Sequence, residues 1–182
     1  PERGDAFLTD YHARDHIMHG ELALDADGEF LAIRCQTISA MGAYQTGAAA
    51  VIPTAGGTRL MTNVYRIANY HAQTLCVFTN TTPIAAFRGA GKPEYCYMVE
   101  RLVDNAAREL GLDPAELRRR NFISPDQMPF ATPTGLVYDS GDFQASMDQA
   151  LALADRTNFN TRRQQASDAG TLLGFGYAVY TE

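Results

Sequence analysis

The sequence predicts an α+β fold in which a β-hairpin and a mixed sheet pack against amphipathic helices. Strand-like runs around a turn occupy the first half of the chain, and apolar stripes of helical period follow in the second half. Of the 182 residues, 46% are hydrophobic and 20% are charged, which is typical of a globular chain with a sizeable core. No apolar run approaches the roughly 18 residues that a membrane span requires.

The first strands form the predicted hairpin. Its arms lie at about 16–24 and 29–39, and Asp25-Ala-Asp-Gly28 between them is built from residues that tolerate a left-handed backbone. The stretch 42–63 is rich in Gly, Ala and Thr, which predicts an irregular loop with one short helix at 48–52. A further strand is predicted at about 70–79.

The clearest helix begins at Pro93, because a missing N–H costs nothing at the first helical position. We expect Gly111 to end this helix and Asp104 to pair with Arg108. The apolar stripe comprises Tyr95, Met98, Val99, Leu102, Val103, Ala106 and Leu110. The charged residues expected on the outer face are Glu100, Arg101, Asp104, Arg108 and Glu109.

Three shorter helices and a strand complete the prediction. Asp113 caps the next helix, whose arginines 118–120 are expected to be solvated or salt-bridged, with anion binding as the less favoured alternative. After a proline-punctuated loop at 124–142, an amphipathic helix begins near Phe143, and another is expected to be capped by Asn160 and ended by Gly170. The closing "GFGYAVYTE" is predicted to be a strand.

Several features exclude common classes of site. The net charge of −6 argues against nucleic acid or an anionic membrane as the main partner, since both prefer a basic surface. The three cysteines show no C-x-x-C spacing, which indicates free, mostly buried thiols in a reducing cytoplasm. His16 and His19 would face opposite sides of the first strand, so we expect no metal site formed by Asp10, His12 and these two histidines.

The stretch "PIAAFRGAGKPEY" at 83–95 carries the strongest functional signal. It places two glycines and the charges of Arg88 and Lys92 directly before a helix N-terminus. The spacing does not match a phosphate-binding loop, which requires G-x4-G-K-[ST]. The pattern alone leaves two alternatives open, a site for an anion or electron-rich ligand and an ordinary turn between strand and helix.

The chain from 79 to 123, with A-[FY]-R-G-x-G followed by P-E and "LGLDPAELRRRNF", resembles the large subunit of the molybdenum hydroxylases. This family includes xanthine dehydrogenase, aldehyde oxidase and the carbon monoxide dehydrogenase large chain. The stretches "GELALDADGEFLAIR", "GAYQTG", "TPTGLVYDSGDF" and "GFGYAVYTE" are similar to family stretches in the same order. The resemblance implies that 1–182 is a single fragment of the molybdopterin-binding domain of a larger subunit.

The resemblance also implies a site. Arg88 would contact the cofactor through its backbone, Gly89, Ala90 and Gly91 would form the adjacent wall, and Phe87 with Ala90 would border the substrate pocket. The cofactor would be molybdenum–molybdopterin in its cytosine dinucleotide form, with [2Fe–2S] and FAD carried by a small and a medium subunit. The family's general-base glutamate lies outside this chain, so we expect the fragment alone to be inactive and to contain neither a catalytic residue nor a direct metal ligand.

Two departures from family patterns bear on the substrate. CO-oxidising members carry a copper-binding cysteine where this chain has Gly89, and purine oxidisers carry a phenylalanine where it has Ala90. A purine-orienting arginine would fall near Gly56, whereas the nearest arginine is Arg59. We therefore expect an aldehyde or an N-heterocycle as substrate. The alternatives are a CO dehydrogenase large chain whose copper ligand lies elsewhere, and a non-catalytic anion-binding module.

Overall fold

A three-stranded mixed sheet organises the first half of the chain, as the sequence predicts. The computed structural model describes residues 2–181, in which a short helix α1 (Arg3–Thr9) precedes the sheet. The strands are β1 (His16–Leu24), β2 (Phe30–Ala40) and β3 (Asn69–Val77), in the order β1-β2-β3. β1 is antiparallel to β2, and β3 is parallel to β2, so the stretch 41–68 crosses between the two parallel strands.

Four longer helices follow the sheet, which confirms the predicted α+β order. Their bounds are α2 (Lys92–Leu110), α3 (Pro114–Asn121), α4 (Phe143–Leu153) and α5 (Phe159–Asp168). A small antiparallel pair, β4 (Phe130–Ala131) and β5 (Val137–Tyr138), interrupts them. Within residues 2–181 no helix is long and apolar enough to cross a membrane.

Local sequence explains the turn of the hairpin and the start of α3. Oδ1 of Asp25 accepts hydrogen bonds from the N–H groups of Asp27 and Glu29, both at 2.9 Å, and Gly28 adopts the left-handed φ of 84°. Oδ1 of Asp113 accepts from the N–H of Ala115 at 2.8 Å, which confirms the predicted cap.

The core lies where α2 crosses the sheet. At the crossing point β1 carries Gly20, where an added Cβ would lie 2.9 Å from both Met98 Sδ and Leu102 Cδ1. A larger residue there would require the Met98 and Leu102 side chains to move. The buried apolar residues of α2 are Tyr95, Met98, Val99, Val103, Ala106 and Ala107.

Two expectations for the face of α2 are wrong. Glu100 is only 5% exposed, and its Oε2 accepts from Nε and Nη2 of Arg118, which is 0% exposed. Asp104 pairs with Arg118 at 2.9 Å, whereas Arg108 donates to Asn105. The reason is that α3 packs against α2, so a cation from α3 reaches carboxylates that α2 alone would expose.

The other arginines of α3 form the expected salt bridges. Arg119 Nη2 lies 2.6 Å from Asp148 Oδ1, and Arg120 Nε lies 3.3 Å from Glu116 Oε1. The three cysteines are free, with Cys35 buried and the other two half-buried.

Three element predictions need correction. Residues 171–181 form no strand, and within this segment the N–H and C=O of Val179 bond to the side chains of Glu100 and Asn63 rather than to a neighbouring strand. The short helix predicted at 48–52 is displaced, because the structure has one π-helical turn at Ile52–Gly56 instead. Helix α5 begins at Phe159, so Asn160 does not cap it.

Candidate functional site

The turn at 87–91, called the RGAG turn below, has an unusual backbone. Gly89, Ala90 and Gly91 have φ values of 92°, 41° and 95°, which are successive left-handed conformations. The turn is closed by hydrogen bonds from Ala90 N–H to the Phe87 carbonyl at 2.7 Å and from Lys92 N–H to the Gly89 carbonyl at 3.0 Å. A non-glycine residue such as Ala90 seldom adopts this conformation, which is found preferentially at functional sites.

Both glycines of the RGAG turn are also required by packing. A Cβ at Gly89 would lie 2.6 Å from Pro93 Cγ, and a Cβ at Gly91 would lie 2.3 Å from the carbonyl oxygen of Ile52. Together with the left-handed φ values, these distances leave glycine as the residue that fits at either position. The turn therefore fits closely against Pro93 and the Ile52 carbonyl at the start of α2.

The π-helical turn at 52–56 supports the RGAG turn from one side. Tyr95 of α2 is fully buried and its OH donates to the Pro53 carbonyl at 2.8 Å. Gly57 lies so close to the Tyr95 ring that an added Cβ would be 2.3 Å from it, and a Cβ at Gly56 would lie 3.2 Å from the Ala90 carbonyl. The loop at 52–57 thus lies directly against the proposed cofactor-binding turn.

The N-terminal segment supports it from another side. The His12 N–H donates to the Pro83 carbonyl at 3.1 Å, and the Ala85 N–H donates to the His12 carbonyl at 2.9 Å. This short parallel pairing brings residues 12–14 alongside the segment that leads into the RGAG turn.

Arg14 makes three contacts as a result. Its Nη2 donates to the Arg88 carbonyl at 2.6 Å, and its guanidinium carbon lies 5.2 Å from the centroid of the Phe87 ring. Its Nε lies 3.1 Å from Oε1 of Glu94, whose side chain is 8% exposed. The guanidinium therefore links the RGAG turn to the first turn of α2.

A cavity of about 350 Å³ opens beside the RGAG turn. Gly89, Lys92 and Cys96 lie on one side of it, and Tyr180 belongs to the closing segment on the other. Burial, with the nearby Glu100 carboxylate, raises the pKa of the Cys96 thiol to about 11, so this thiol stays protonated at neutral pH. A largely apolar cavity with one lysine in its lining, beside a polar turn, can accommodate a small organic molecule.

A second and more open groove of about 620 Å³ lies between β1 and α2. His16, Glu94 and Arg101 are among its lining residues. Burial lowers the pKa of His16, against the opposing effect of the Glu94 and Asp15 carboxylates. His16 and His19 lie on opposite faces of β1, and the described part of the chain holds no group of three or more His, Cys, Asp or Glu placed to bind a metal ion.

Comparison with known proteins identifies the family. Residues 1–122 match the molybdopterin cofactor-binding domain. The chain belongs to this family. It is 33% identical, over its whole length, to the carbon monoxide dehydrogenase large chain of Hydrogenophaga pseudoflava. It is 31% identical over 98% of its length to the 6-hydroxypseudooxynicotine dehydrogenase complex subunit gamma of Paenarthrobacter nicotinovorans.

A solved structure agrees with the family assignment. Quinoline 2-oxidoreductase from Pseudomonas putida 86 matches 93% of the chain with a TM-score of 0.87 and 31% sequence identity. The chain spans 23% of the length of each curated relative and 22% of this solved chain. The relatives are therefore several times longer than the region described by this structure.

Within this family's fold, the site residues proposed from sequence occupy one continuous turn. Arg88 and Phe87 are exposed, the latter with 63% of its side chain accessible, and Ala90 is half-buried beside Gly56. Arg59, the arginine nearest to the expected purine-orienting position, is exposed. Of the predicted site residues, Gly89 lines the 350 Å³ cavity, whereas Phe87, Arg88, Ala90 and Gly91 are not among its lining residues.

Sequence reasoning missed the residues that hold this turn in place. Arg14, Gly57 and Tyr95 support it through contacts that cross long sequence separations. Tyr95 was identified, but as an ordinary core residue of the apolar stripe. A buried tyrosine needs a hydrogen-bond partner for its OH, and this requirement could have indicated that Tyr95 contacts another segment. No comparable signal in the sequence distinguishes Arg14 from other surface arginines.

Proposed function

We propose that the chain is a single fragment, 1–182, of the molybdopterin-binding domain in the large subunit of a molybdenum hydroxylase. The parent enzyme would hydroxylate a carbon of an aldehyde or an N-heterocycle with oxygen from water. The observation that carries this proposal is the RGAG turn, whose left-handed backbone places Gly89 in the lining of a cavity in a chain of the molybdopterin-binding family.

The residues of the turn fit such a cofactor. Among residues 2–181 the Gly89 N–H has no hydrogen-bond acceptor, and Gly89 lines the 350 Å³ cavity. An unpaired N–H suits the oxygen or sulfur ligands of a molybdenum centre, as does the positive end of the α2 dipole. When bound, the molybdenum cofactor supplies the oxygen transferred to the substrate carbon and accepts two electrons.

In this scheme the chain's own residues bind the cofactor and orient the substrate. Gly89 would offer its N–H to the cofactor, and Arg88 would contact it through backbone atoms while Arg14 holds the Arg88 carbonyl. Phe87 and Ala90 would border the substrate, with the exposed phenyl ring as a flat apolar surface. The base that takes the proton of the attacking water would come from the rest of the subunit.

The preferred substrate class follows from two small residues. Gly89 has no thiolate to bind copper, which disfavours CO oxidation even though the CO dehydrogenase large chain is similar. Ala90 leaves more room than a phenylalanine would. The similarity to proteins named for quinoline and for a nicotine derivative supports an N-heterocycle, with an aldehyde as the other candidate.

The surroundings of the fragment are part of the same proposal. Ile17, Ile38 and Leu75 are exposed neighbours in register across the outer face of the sheet, which supports burial of this face by the remainder of the large subunit. Relatives named as the large chain or the gamma subunit of a complex support further subunits. We propose a [2Fe–2S] small subunit, an FAD medium subunit, a cytosine dinucleotide form of the cofactor, and a cytoplasmic enzyme.

The first test is elemental analysis of the full-length parent complex for molybdenum, iron and copper. Molybdenum and iron without copper, together with turnover of an aldehyde or heterocycle and none of CO, is the expected result. Stoichiometric copper would favour CO oxidation instead. An absence of molybdenum in complex purified from cells shown to make the cofactor would refute the hydroxylase proposal and favour a non-catalytic module.

A further inference from the structure

We propose that Arg14 is a positioning residue of the cofactor and substrate site. It would hold the Phe87 ring and the Arg88 carbonyl in the arrangement that the site requires. This inference rests on the proposed function, because it assigns the RGAG turn to the cofactor and Phe87 to the substrate pocket.

The contacts of Arg14 require the shape of a guanidinium group. Nη2 reaches the Arg88 carbonyl at 2.6 Å while Nε lies 3.1 Å from Glu94 Oε1, and the same group lies 5.2 Å from the centre of the Phe87 ring. A planar guanidinium can donate a hydrogen bond to the carbonyl while its charge pairs with the carboxylate and the ring, and the contact with Glu94 is an ion pair in which Nε makes no hydrogen bond within the described residues. A lysine ammonium is a compact point charge and would contact one or two of these three groups.

The backbone of Arg14 is specialised as well. Its φ of 54° is left-handed, which is uncommon for a residue with a long side chain. The pairing of His12 with the segment 83–85 fixes this conformation next to the RGAG turn. Such conformations persist where the surroundings determine them, and they concentrate at functional sites.

Glu94 holds the guanidinium in place. Its side chain is 8% exposed, and its Oε2 has no hydrogen-bond partner in the described part of the chain. A carboxylate buried to this extent needs a counter-charge, and Arg14 supplies it. The ion pair thus ties the RGAG turn to the N-terminal turn of α2, while most of the Phe87 side chain remains exposed to the site.

The first experiment measures the turn directly, without reference to activity. In the full-length complex, amide hydrogen exchange of the peptide covering 86–92 is compared between wild type, Arg14→Met and Arg14→Lys. The matched control is Arg34→Met, which removes an arginine from an exposed ion pair with Glu21 on the sheet. We expect exchange in 86–92 to rise about tenfold in Arg14→Met, because a charge-assisted hydrogen bond is lost, and to stay unchanged in the control.

The second experiment asks whether Arg14 acts through Phe87. Steady-state kinetics of the molybdenum-loaded complex are measured for Arg14→Met, Phe87→Leu and the double variant. We expect KM to rise about tenfold in Arg14→Met with kcat changed less than about threefold, and the double variant to lose no more than the larger single loss. If Arg14→Met does not accumulate, Arg14→Lys replaces it in both experiments.

The outcomes separate this inference from the proposed function. Unchanged exchange in Arg14→Met, wild-type behaviour of Arg14→Lys, or additive losses in the double variant would each overturn the role of Arg14. Wild-type complex without molybdenum would overturn the proposed function, and the exchange experiment would still decide whether Arg14 holds the turn.

Discussion

Substitution of Glu100 by Gln should be among the most destabilising single changes in this chain. The Glu100 carboxylate accepts from Arg118 at 2.9 and 3.1 Å, from the Tyr65 OH at 2.6 Å and from the Val179 N–H at 3.0 Å. The amide removes the negative charge and leaves a fully buried Arg118 with Asp104 as its remaining ion-pair partner, beside a hydrogen bond to the Pro114 carbonyl. Removal of one member of a buried ion pair costs about 3–5 kcal/mol, and we expect Glu100→Gln to fall in this range.

Urea unfolding of the protein measures this effect as a lower midpoint at an unchanged slope. Glu21→Gln is the matched control, because Glu21 pairs with Arg34 at the surface, where both side chains are more than half exposed. The control should change the free energy of unfolding by less than about 1 kcal/mol. The double variant Glu100→Met/Arg118→Met should recover much of the loss, since it leaves no unpaired buried charge between these positions. A cost below about 1 kcal/mol for Glu100→Gln would refute the reasoning.

Three further predictions concern the turn and its surroundings. Gly91→Ala should cost at least about 2 kcal/mol in urea unfolding, because its Cβ would meet a backbone carbonyl. The control Gly170→Ala, also at positive φ but in open space, should cost about 1 kcal/mol. Equal costs for the two variants would contradict the packing argument. Tyr95→Phe should cost about 1 kcal/mol, because the hydrogen bonds of its OH to the Pro53 carbonyl and to the Thr37 and Thr74 hydroxyls are lost. A neutral result by the same assay would show that these bonds contribute no net stability. Burial lowers the pKa of His16, so its contribution to stability is complete above the unfolded pKa of 6.5 and is lost as the pH falls toward the folded pKa. As the pH falls from about 7 to 5, the urea midpoint should fall less steeply in His16→Gln than in the wild type. The same pH dependence in both proteins would exclude this role of His16.

The elements that the sequence predicted well are those specified by short-range chemistry. The hairpin turn at 25–28 follows from Asp25 and Gly28, and the helix α2 follows from its apolar stripe with Gly111 at its end. The strand β3 is specified in the same way by its own residues. In each case the deciding contacts lie within a few residues, so that local pattern and turn chemistry are sufficient.

The wrong predictions concern residues whose hydrogen-bond partners come from segments that are distant in the sequence. Glu100 was expected at the surface because it is charged, yet Arg118 of the next helix and Val179 of the closing segment both bond to it. The segment 171–181 looks like a strand, but side chains take up the N–H and C=O of Val179. Neither partner can be identified from the spacing of residues along one element.

The candidate site shows the same difference between features set by neighbouring residues and features set by distant ones. The sequence by itself determined the RGAG turn, because the glycines before a helix with a proline in its first turn and the family motif both lie within a few consecutive residues. Only the tertiary structure decided what holds this turn: Arg14 at the Arg88 carbonyl, and the loop at 52–57 beneath Gly91. The physical reason is that a turn's conformation is a local property, whereas its rigidity comes from contacts between segments that meet through the folding of the whole chain.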